Sequence, residues 1–333
     1  MKKKMISVLA LVVCAILTLL CFSGCGSETA ASGKIKIVTT IFPEYDWTRE
    51  ILGKGSVDAE LDLLIGNGVD LHSYQPSVDD IMLISNCDVF IYVGGESDKW
   101  VTEALSQAHN KDMKVVKLID VIGSRAKAEE TVEGMQEHDD HDHDDHDHDE
   151  IEYDEHIWLS INNASLCCDA ITEALAKAMP DKASALRSNC EAYKSQLNAL
   201  DKEYRQSIKE SKTDTIVVGD RFPFRYLTED YDLKYYAAFS GCSAETEASF
   251  ETIVFLANKV DELKLGTIIK TEGSDDSVAK TIRDNTKTAD QEILTLDSMQ
   301  SVTWENINNG TTYLSSMKAD LTTLCKALNS VRS

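Results

Sequence analysis

The chain has 333 residues, a formal net charge of −24 at pH 7 and 43% hydrophobic residues. This charge excludes nucleic acid as a natural partner, because binding to phosphates requires the opposite sign. The length beyond residue 33 exceeds that of one ordinary domain, and the hydrophobic content is sufficient for real cores, so two lobes are expected.

The first 25 residues have the order of a secretory signal. Lysines at the start precede an apolar run over residues 6–22, which is too short for a comfortable membrane span and ends close to Cys25. The junction is similar to a bacterial lipoprotein processing site, in which the cysteine is acylated and becomes the first residue. We expect a signal peptide over 1–25, attachment to a membrane surface through Cys25, and a flexible tether over 26–33. An uncleaved membrane anchor is the alternative.

The first lobe, residues 34–160, is predicted to contain a four-stranded sheet. Short β-branched runs alternate there with longer helical stretches. Nearly continuous apolar strands between helices are typical of mostly parallel sheets that helices cover on both faces. The predicted strands are residues 35–40, 61–65, 88–94 and 115–119.

Residues 134–154 differ in composition from the rest of the lobe. From Glu137 to Glu155 there are twelve Asp or Glu residues and no Lys or Arg. Alternating with the aspartates are five histidines, namely His138, His141, His143, His146 and His148. Such a segment cannot be buried, so we expect a mobile loop with weak, rapidly exchanging metal sites of imidazole and carboxylate donors. A solvated acidic linker is the alternative.

A helical region is predicted over residues 161–212. One helix runs over 163–179 and stops at Pro180, and a second extends from about 181 to about 211 with apolar residues spaced by threes and fours. The second helix would span roughly 45 Å, about the length of a domain. We therefore interpret it as a rigid strut that joins the lobes and restricts hinge motion.

The second lobe, residues 213–333, repeats the alternation of apolar strands and helices. Its four predicted strands are residues 215–219, 234–239, 267–271 and 293–297. The fold class is therefore α/β, with two four-stranded sheets flanked by helices and joined by one long helix.

Five side chains lie at the ends of predicted strands or at the junction with the helices, where ligands bind in open parallel sheets. They are His72, His156, Asp220, Glu272 and Asp297. Two imidazoles and several carboxylates form a donor set that suits zinc or manganese. The alternative for each carboxylate is structural: Asp220 pairs with a neighbouring arginine, and the other two cap the following helices.

Several motifs carry a resemblance to a known family. They are His72-Ser73-Tyr74-Gln75-Pro76-Ser77, Tyr92-Val93-Gly94-Gly95, Glu155-His156-Ile157-Trp158-Leu159-Ser160 and Phe224-Arg225-Tyr226. From about Lys34 to the C-terminus, the chain resembles the zinc- and manganese-binding solute-binding proteins, the adhesin-like cluster A-I, of bacterial ABC importers. The acidic His-rich loop is itself a mark of the zinc branch.

The resemblance implies a metal ion between the lobes, with His72 and His156 as the first two ligands. The third histidine that is usual in zinc members falls on Arg221, and an arginine cannot bind a cation. No histidine follows His156 in the sequence. Asp220 is a candidate for the missing donor.

The acidic ligands implied by the resemblance are Glu272, used by some zinc members, and Asp297, used by manganese members. The expected function is capture of a metal ion at the extracellular face of the bacterial cell membrane, by a monomer, for delivery to an ABC permease and its ATPase. Zinc is the favoured ion and manganese the alternative. Because older members of the family were labelled adhesins, a surface adhesin is a further alternative.

The sequence does not favour an enzyme or a zinc finger. It lacks the HExxH spacing of a metallohydrolase, and the six cysteines that follow Cys25 show no CxxC spacing. Buried free thiols are expected, with one disulfide as the alternative. Cys242 and Glu245 are additional candidates to reach the cleft, whereas His109 is expected at the surface.

Overall fold

The computed structural model describes residues 33–136, 152–243 and 247–332. Residues 35–333 form one unit, and of the 34 residues before it only Gly33 and Lys34 are described. The predicted signal peptide, Cys25, the five loop histidines and Glu245 therefore lie outside the described residues. None of the described helices is long and apolar enough to cross a membrane.

The first sheet contains four strands that are parallel at every pairing. These are β1 (Ile35–Thr39), β2 (Ala59–Leu63), β3 (Val89–Tyr92) and β4 (Lys114–Lys117), in the order β2-β1-β3-β4. Val38 and Phe90 on the two central strands are almost fully buried, as expected for strands covered on both faces. The loop that follows β2 carries His72.

The described part of this lobe contains four α-helices: α1 (Phe42–Leu52), α2 (Val78–Asn86), α3 (Val101–Ser106) and α4 (Leu118–Ile122). Helix α1 begins directly after β1, and the Glu44 carboxylate accepts hydrogen bonds from the backbone N–H groups of Thr40 and Ile41. That contact satisfies amide groups that no preceding turn can satisfy, so it fixes where α1 begins.

Two helices connect the lobes. Helix α5 (Ile161–Ala178) ends before a turn at Pro180–Lys182, and α6 (Ala183–Lys209) follows with 27 residues, which corresponds to about 40 Å. Helix α6 buries Leu186, Tyr193 and Leu197 on one face against α1 and α5. The predicted long helix is thus confirmed.

The second sheet has the same topology as the first. Its strands are β5 (Thr215–Phe222), β6 (Lys234–Ser240), β7 (Thr267–Thr271) and β8 (Glu292–Leu296), in the order β6-β5-β7-β8, again with parallel pairings. Its helices are α7 (Arg225–Asp230), α8 (Phe250–Glu262), α9 (Ser277–Asp284), α10 (Trp304–Asn308) and α11 (Tyr313–Asn329). The predicted fold class is confirmed.

One strand differs from its prediction by more than two residues. β5 continues past Gly219 to Phe222, after a register shift that pairs Arg221 with Phe239 of β6. Asp220 and Arg221 therefore lie within the strand, whereas the sequence pattern placed them in the loop after it.

A single hydrophobic core extends through both lobes. It contains Ile37 of β1, Leu197 of α6, Val218 of β5 and Tyr313 of α11, all nearly inaccessible to solvent. A smaller cluster that includes Val217, Phe239 and Leu256 covers the other face of the second sheet. The two lobes thus share apolar contacts along the connecting helices.

Candidate metal centre

Two histidines from different segments meet between the sheets. His72 lies in a short 3-10 turn, Leu71–Ser73, in the loop after β2, and His156 precedes a similar turn, Ile157–Leu159. The two Nε2 atoms are 3.2 Å apart. His156 is fully buried, whereas the side chain of His72 is 12% exposed and faces a cleft.

The other ring nitrogen of each histidine is held by a hydrogen bond. Ser97 Oγ lies 2.9 Å from His72 Nδ1 and donates in turn to Glu155. Asp154 Oδ1 lies 2.9 Å from His156 Nδ1. With both Nδ1 atoms engaged in this way, each Nε2 is left to face the shared site, which is the usual arrangement around a metal-binding histidine.

The two imidazoles have opposite pKa shifts. Burial, the neighbouring His156 and Arg221 lower the pKa of His72 to about 4. Burial disfavours a charge on His156 as well, but the contact with Asp154 outweighs it and raises the pKa of His156. The opposite directions favour His156 as the donor and His72 as the acceptor in the contact between the two Nε2 atoms.

The turn after His156 is fixed by the second lobe. The indole N–H of Trp158 donates to the carbonyl of Ser298 at 2.8 Å, and the hydroxyl of Tyr313 donates to the carbonyl of Trp158 at 2.7 Å. Trp158 and Tyr313 are both almost fully buried. These contacts place His156 rigidly beside the second sheet.

Cys242 joins the two histidines from the end of β6. One ligand atom from each of His72, His156 and Cys242 lies within 4.8 Å of those of the other two, and no other His, Cys, Asp or Glu in the described ranges forms such a group of three. Burial and the nearby Glu129 raise the pKa of the Cys242 thiol. His72 and Cys242 also line the same cleft, whose volume is about 310 Å³.

Arg221 forms an ion pair with Asp70 and offers no ligand atom to a metal ion. Its Nη2 lies 2.7 Å from Asp70 Oδ2 of the first lobe, and the other Asp70 oxygen accepts the backbone N–H of His72 at 3.0 Å. Both members of the ion pair are about one quarter exposed. Arg221 thereby links β5 to the turn that carries His72.

The three predicted carboxylates do not belong to that group of three. Both oxygens of Asp220 are engaged, one by the backbone N–H of Arg221 and the other by the N–H and hydroxyl of Thr271. The alternative in which Asp220 pairs with the Arg221 side chain is wrong, because that guanidinium contacts Asp70.

Glu272 and Asp297 hold the loop that follows β8. Glu272 accepts hydrogen bonds from Ser298 and Gln300, and Asp297 accepts one from Met299. Burial and the adjacent Asp297 raise the pKa of Glu272 to about 7. These carboxylates stabilise a loop and not the start of a helix, so the helix-capping alternative is wrong.

The remaining predictions for individual residues concern His109 and the cysteines. His109 is exposed, as expected. The six cysteines of the folded body are free thiols, and Cys87, Cys167, Cys168 and Cys190 are buried.

Comparison with known proteins identifies the family of the chain. The family model ZnuA, described as zinc-uptake complex component A, periplasmic, matches residues 37–327. The chain belongs to this family. ZnuA proteins are substrate-binding components of transport systems and not enzymes.

Individual ZnuA-type relatives match most of the chain. The zinc-binding lipoprotein AdcA of Streptococcus pneumoniae is 32% identical over 321 residues, which cover 96% of this chain and 60% of AdcA. The chain thus spans 60% of the length of that relative. The high-affinity zinc uptake system protein ZnuA of Bacillus subtilis is 29% identical over 334 residues, covering 98% of this chain and 99% of that protein.

A solved structure agrees with the fold. The Zn(II)-bound ZnuA-like domain of Streptococcus pneumoniae AdcA matches with a TM-score of 0.68 at 28% identity. The match covers 89% of this chain and 100% of that domain.

The sequence pattern favours the carboxylates over Cys242 as ligands. It does not indicate Ser97 as a partner of His72. The signal for Cys242 was present, because it follows the carboxyl end of β6 just as the other candidates follow theirs. Ser97 had no comparable signal, since only the folded loops bring it to the imidazole.

Proposed function

We propose that this protein captures zinc outside the cell and delivers it to an ABC permease and its ATPase. The observation that carries the proposal is the 3.2 Å separation of His72 Nε2 and His156 Nε2. A tetrahedral zinc ion with Zn–N bonds of about 2.0–2.1 Å requires its two nitrogen ligands to be about 3.3 Å apart. The names of the zinc-binding relatives support the same ion, with manganese as the alternative.

The proposed location is the extracellular face of the membrane, through acylation of Cys25. The lipoprotein named among the relatives supports an anchor of this kind. Cys25→Ala should release the protein into the medium or leave it unprocessed. Normal membrane retention of this variant, with a lipid-modified N-terminus, would contradict the proposal.

Glu272 and Asp297 remain predicted ligands from the second lobe. To bind zinc, each would have to exchange an N–H partner in the β8 loop for the ion. Asp220 ranks below them, since its oxygens tie β5 to β7.

The five loop histidines are proposed to collect metal and pass it inward. Both described flanks of the loop lie beside the site. Glu129 N–H donates to Glu152 O at 2.8 Å across the base of the loop, and Asp154 contacts His156. Metal released from the loop would therefore arrive next to the histidine pair.

The test uses a background in which the five loop histidines are replaced by asparagine, so that weak sites cannot mask the result. After removal of metal with a chelator, the background protein should bind one zinc ion tightly. His72→Ala and His156→Ala should lose most of that affinity, whereas His109→Ala, at an exposed position, should retain it. Wild-type zinc affinity in both site variants would overturn the proposal.

A further inference from the structure

We propose that Cys242 binds the captured zinc ion as a thiolate and makes the site selective for zinc over manganese. The inference rests on the proposed function, which assigns His72 and His156 to zinc. It adds a soft sulfur donor from the second lobe to the two imidazoles.

The first argument is geometric. A tetrahedral zinc ion with a Zn–S bond of about 2.3 Å holds sulfur and nitrogen ligands about 3.6 Å apart. The donor atoms of His72, His156 and Cys242 already lie within 4.8 Å of one another, so small side-chain rotations bring all three to one ion. Three protein ligands leave a fourth position for water or a carboxylate.

The second argument is how the chain places Cys242. A Cβ atom built on Gly241 would lie 2.9 Å from Phe222 O and 3.1 Å from His156 Cε1, so only glycine allows the end of β6 to approach the imidazole so closely. The next residue is Cys242, whose N–H donates to Glu129 Oε1 at 3.1 Å. The backbone that leads into Cys242 is therefore held close to His156.

The third argument is that the usual third donor is absent. Arg221 occupies that position in β5, and its guanidinium contacts Asp70. The chain has no histidine after His156. A second-lobe nitrogen ligand is thus missing, and Cys242 reaches the histidine pair from the adjacent strand, β6.

To bind zinc as a thiolate, Cys242 must lose its thiol proton. The Cys242 S–H bond breaks as the Zn–S bond forms, the sulfur keeps the electron pair, and the proton passes to water in the cleft that Cys242 lines. No electron transfer occurs. Thiolates prefer zinc to manganese, which favours carboxylate and water ligands. A His₂Cys site would therefore discriminate against manganese more strongly than a site of histidines and carboxylates.

The experiment uses the full mature chain with the loop histidines replaced by asparagine. Cobalt(II) serves as a spectroscopic probe, because a thiolate ligand produces an intense charge-transfer band in the near ultraviolet. Zinc and manganese affinities are measured by competition with a chromophoric chelator. The variants are Cys242→Ala and Cys242→Ser, with Cys325→Ala as a matched control because Cys325 is also half-buried but lies on α11.

We expect the charge-transfer band in the background protein and in Cys325→Ala, and its loss in both Cys242 variants. Zinc affinity in those variants should fall by more than the roughly 10- to 100-fold that follows loss of a hydrogen bond to a metal ligand. Manganese affinity should change much less, so the zinc-to-manganese ratio should fall. Far-ultraviolet circular dichroism of the metal-free variants checks folding, and the band in the unaltered background protein tests the thiolate without any variant.

Two results separate this inference from the proposed function. If the cobalt form shows no charge-transfer band and Cys242→Ala binds zinc like the background protein, Cys242 is not a ligand, while the loss of binding in His72→Ala still supports zinc capture. If the background protein itself binds no zinc tightly, the proposed function fails and this inference fails with it.

Discussion

The hydrogen bond between Ser97 Oγ and His72 Nδ1 decides which nitrogen of His72 is free to bind metal. Ser97 donates its own proton to Glu155, so it accepts the Nδ1–H of His72. The Nε2 lone pair is then directed at His156 without any rearrangement of the ring. At the scale of single residues, Ser97 and Glu155 thus orient the imidazole of His72.

Ser97→Ala should weaken zinc binding by roughly 10- to 100-fold, because His72 loses the partner that fixes its tautomer and ring orientation. Ser97→Thr retains the hydroxyl and should restore most of the affinity. Chelator competition measures both variants. The assigned role fails if Ser97→Ala binds zinc as tightly as the unaltered protein.

Asp70 couples His72 to Arg221. Asp70→Asn keeps an acceptor for the His72 N–H and loses only the partly exposed ion pair, which contributes at most about 1 kcal/mol. Asp70→Ala also removes the carboxylate that caps the turn. This loss costs another ~1 kcal/mol, which corresponds to about fivefold in an equilibrium constant. Zinc affinity should therefore decrease in the order wild type, Asn variant, Ala variant, as measured by the same competition. Equal affinities in all three proteins would show that the turn holds its shape without Asp70.

At the scale of secondary-structure elements, the start of α1 places the buried carboxylate of Glu44 beside the two residues that follow β1. Glu44 is fully buried, and one oxygen accepts hydrogen bonds from Thr40 and Ile41 while the other has no partner. Burial and the nearby Asp98 raise the pKa of Glu44 well above 4.5. Burial therefore disfavours the ionised form of Glu44 in the folded protein, although the hydrogen bonds from Thr40 and Ile41 favour it.

Glu44→Gln should stabilise the protein at pH 8 and have little effect near pH 4. In the wild type, the folded pKa lies above the unfolded value, so the cost of ionising Glu44 is absent below about pH 4.5 and grows as pH rises toward the folded pKa. Each unit of pKa difference corresponds to about 1.4 kcal/mol. Urea unfolding of chelator-treated protein at both pH values measures the effect.

Glu44→Ala is the matched control, because it removes the charge and the hydrogen bonds together. Near pH 4 it should destabilise the protein by about 1–3 kcal/mol, because the Ile41 amide loses its acceptor. At pH 8 the destabilisation should be smaller, because the same substitution also removes the buried charge. If the Gln variant is no more stable than wild type at pH 8, Glu44 does not carry an energetically unfavourable buried charge at that pH.

At the scale of the whole molecule, the two lobes are joined by packing and not only by the chain. Helix α6 contacts α1 of the first lobe and α11 of the second, and one core includes residues of both sheets. Separation of the lobes would expose that core to water, at about 25 cal/mol per Å² of apolar surface. This supports the expectation of restricted hinge motion.

The metal-free protein should therefore unfold in one cooperative transition. Tryptophan fluorescence and far-ultraviolet circular dichroism should give the same urea midpoint, because the larger core contains residues of both lobes and is disrupted when either lobe unfolds. Two separated transitions would show that the shared core does not couple the lobes.

Zinc should raise the melting temperature of that single transition, since the site exists only when both lobes are in place. At a zinc concentration one hundred times the dissociation constant, the stabilisation is about 2.7 kcal/mol. His72→Ala should unfold at nearly the same temperature with and without zinc. Differential scanning calorimetry of the protein with asparagine in place of the loop histidines tests this, and a zinc-induced shift retained in His72→Ala would place the stabilising ion elsewhere.

The sequence by itself determined the fold class, the eight strands, the long helix and the two histidines. Each of these depends on local information: apolar spacing selects strands and helices, and the carboxyl ends of parallel strands are known to gather at one edge. His72 and His156 could be chosen because imidazoles are few outside the loop. His72 follows a predicted strand, and His156 lies where the first lobe meets the helical region.

Only the tertiary structure decided which second-lobe side chains approach the pair. Asp220 is drawn into a hydrogen bond with Thr271 when β5 extends, and Arg221 contacts Asp70, which is 151 residues away along the chain. Cys242 reaches the histidines because Gly241 lets the end of β6 lie against His156. These outcomes depend on contacts between segments remote in sequence. Backbone approach and competing hydrogen bonds, and not residue type or spacing, determine which donor atom faces the histidine pair.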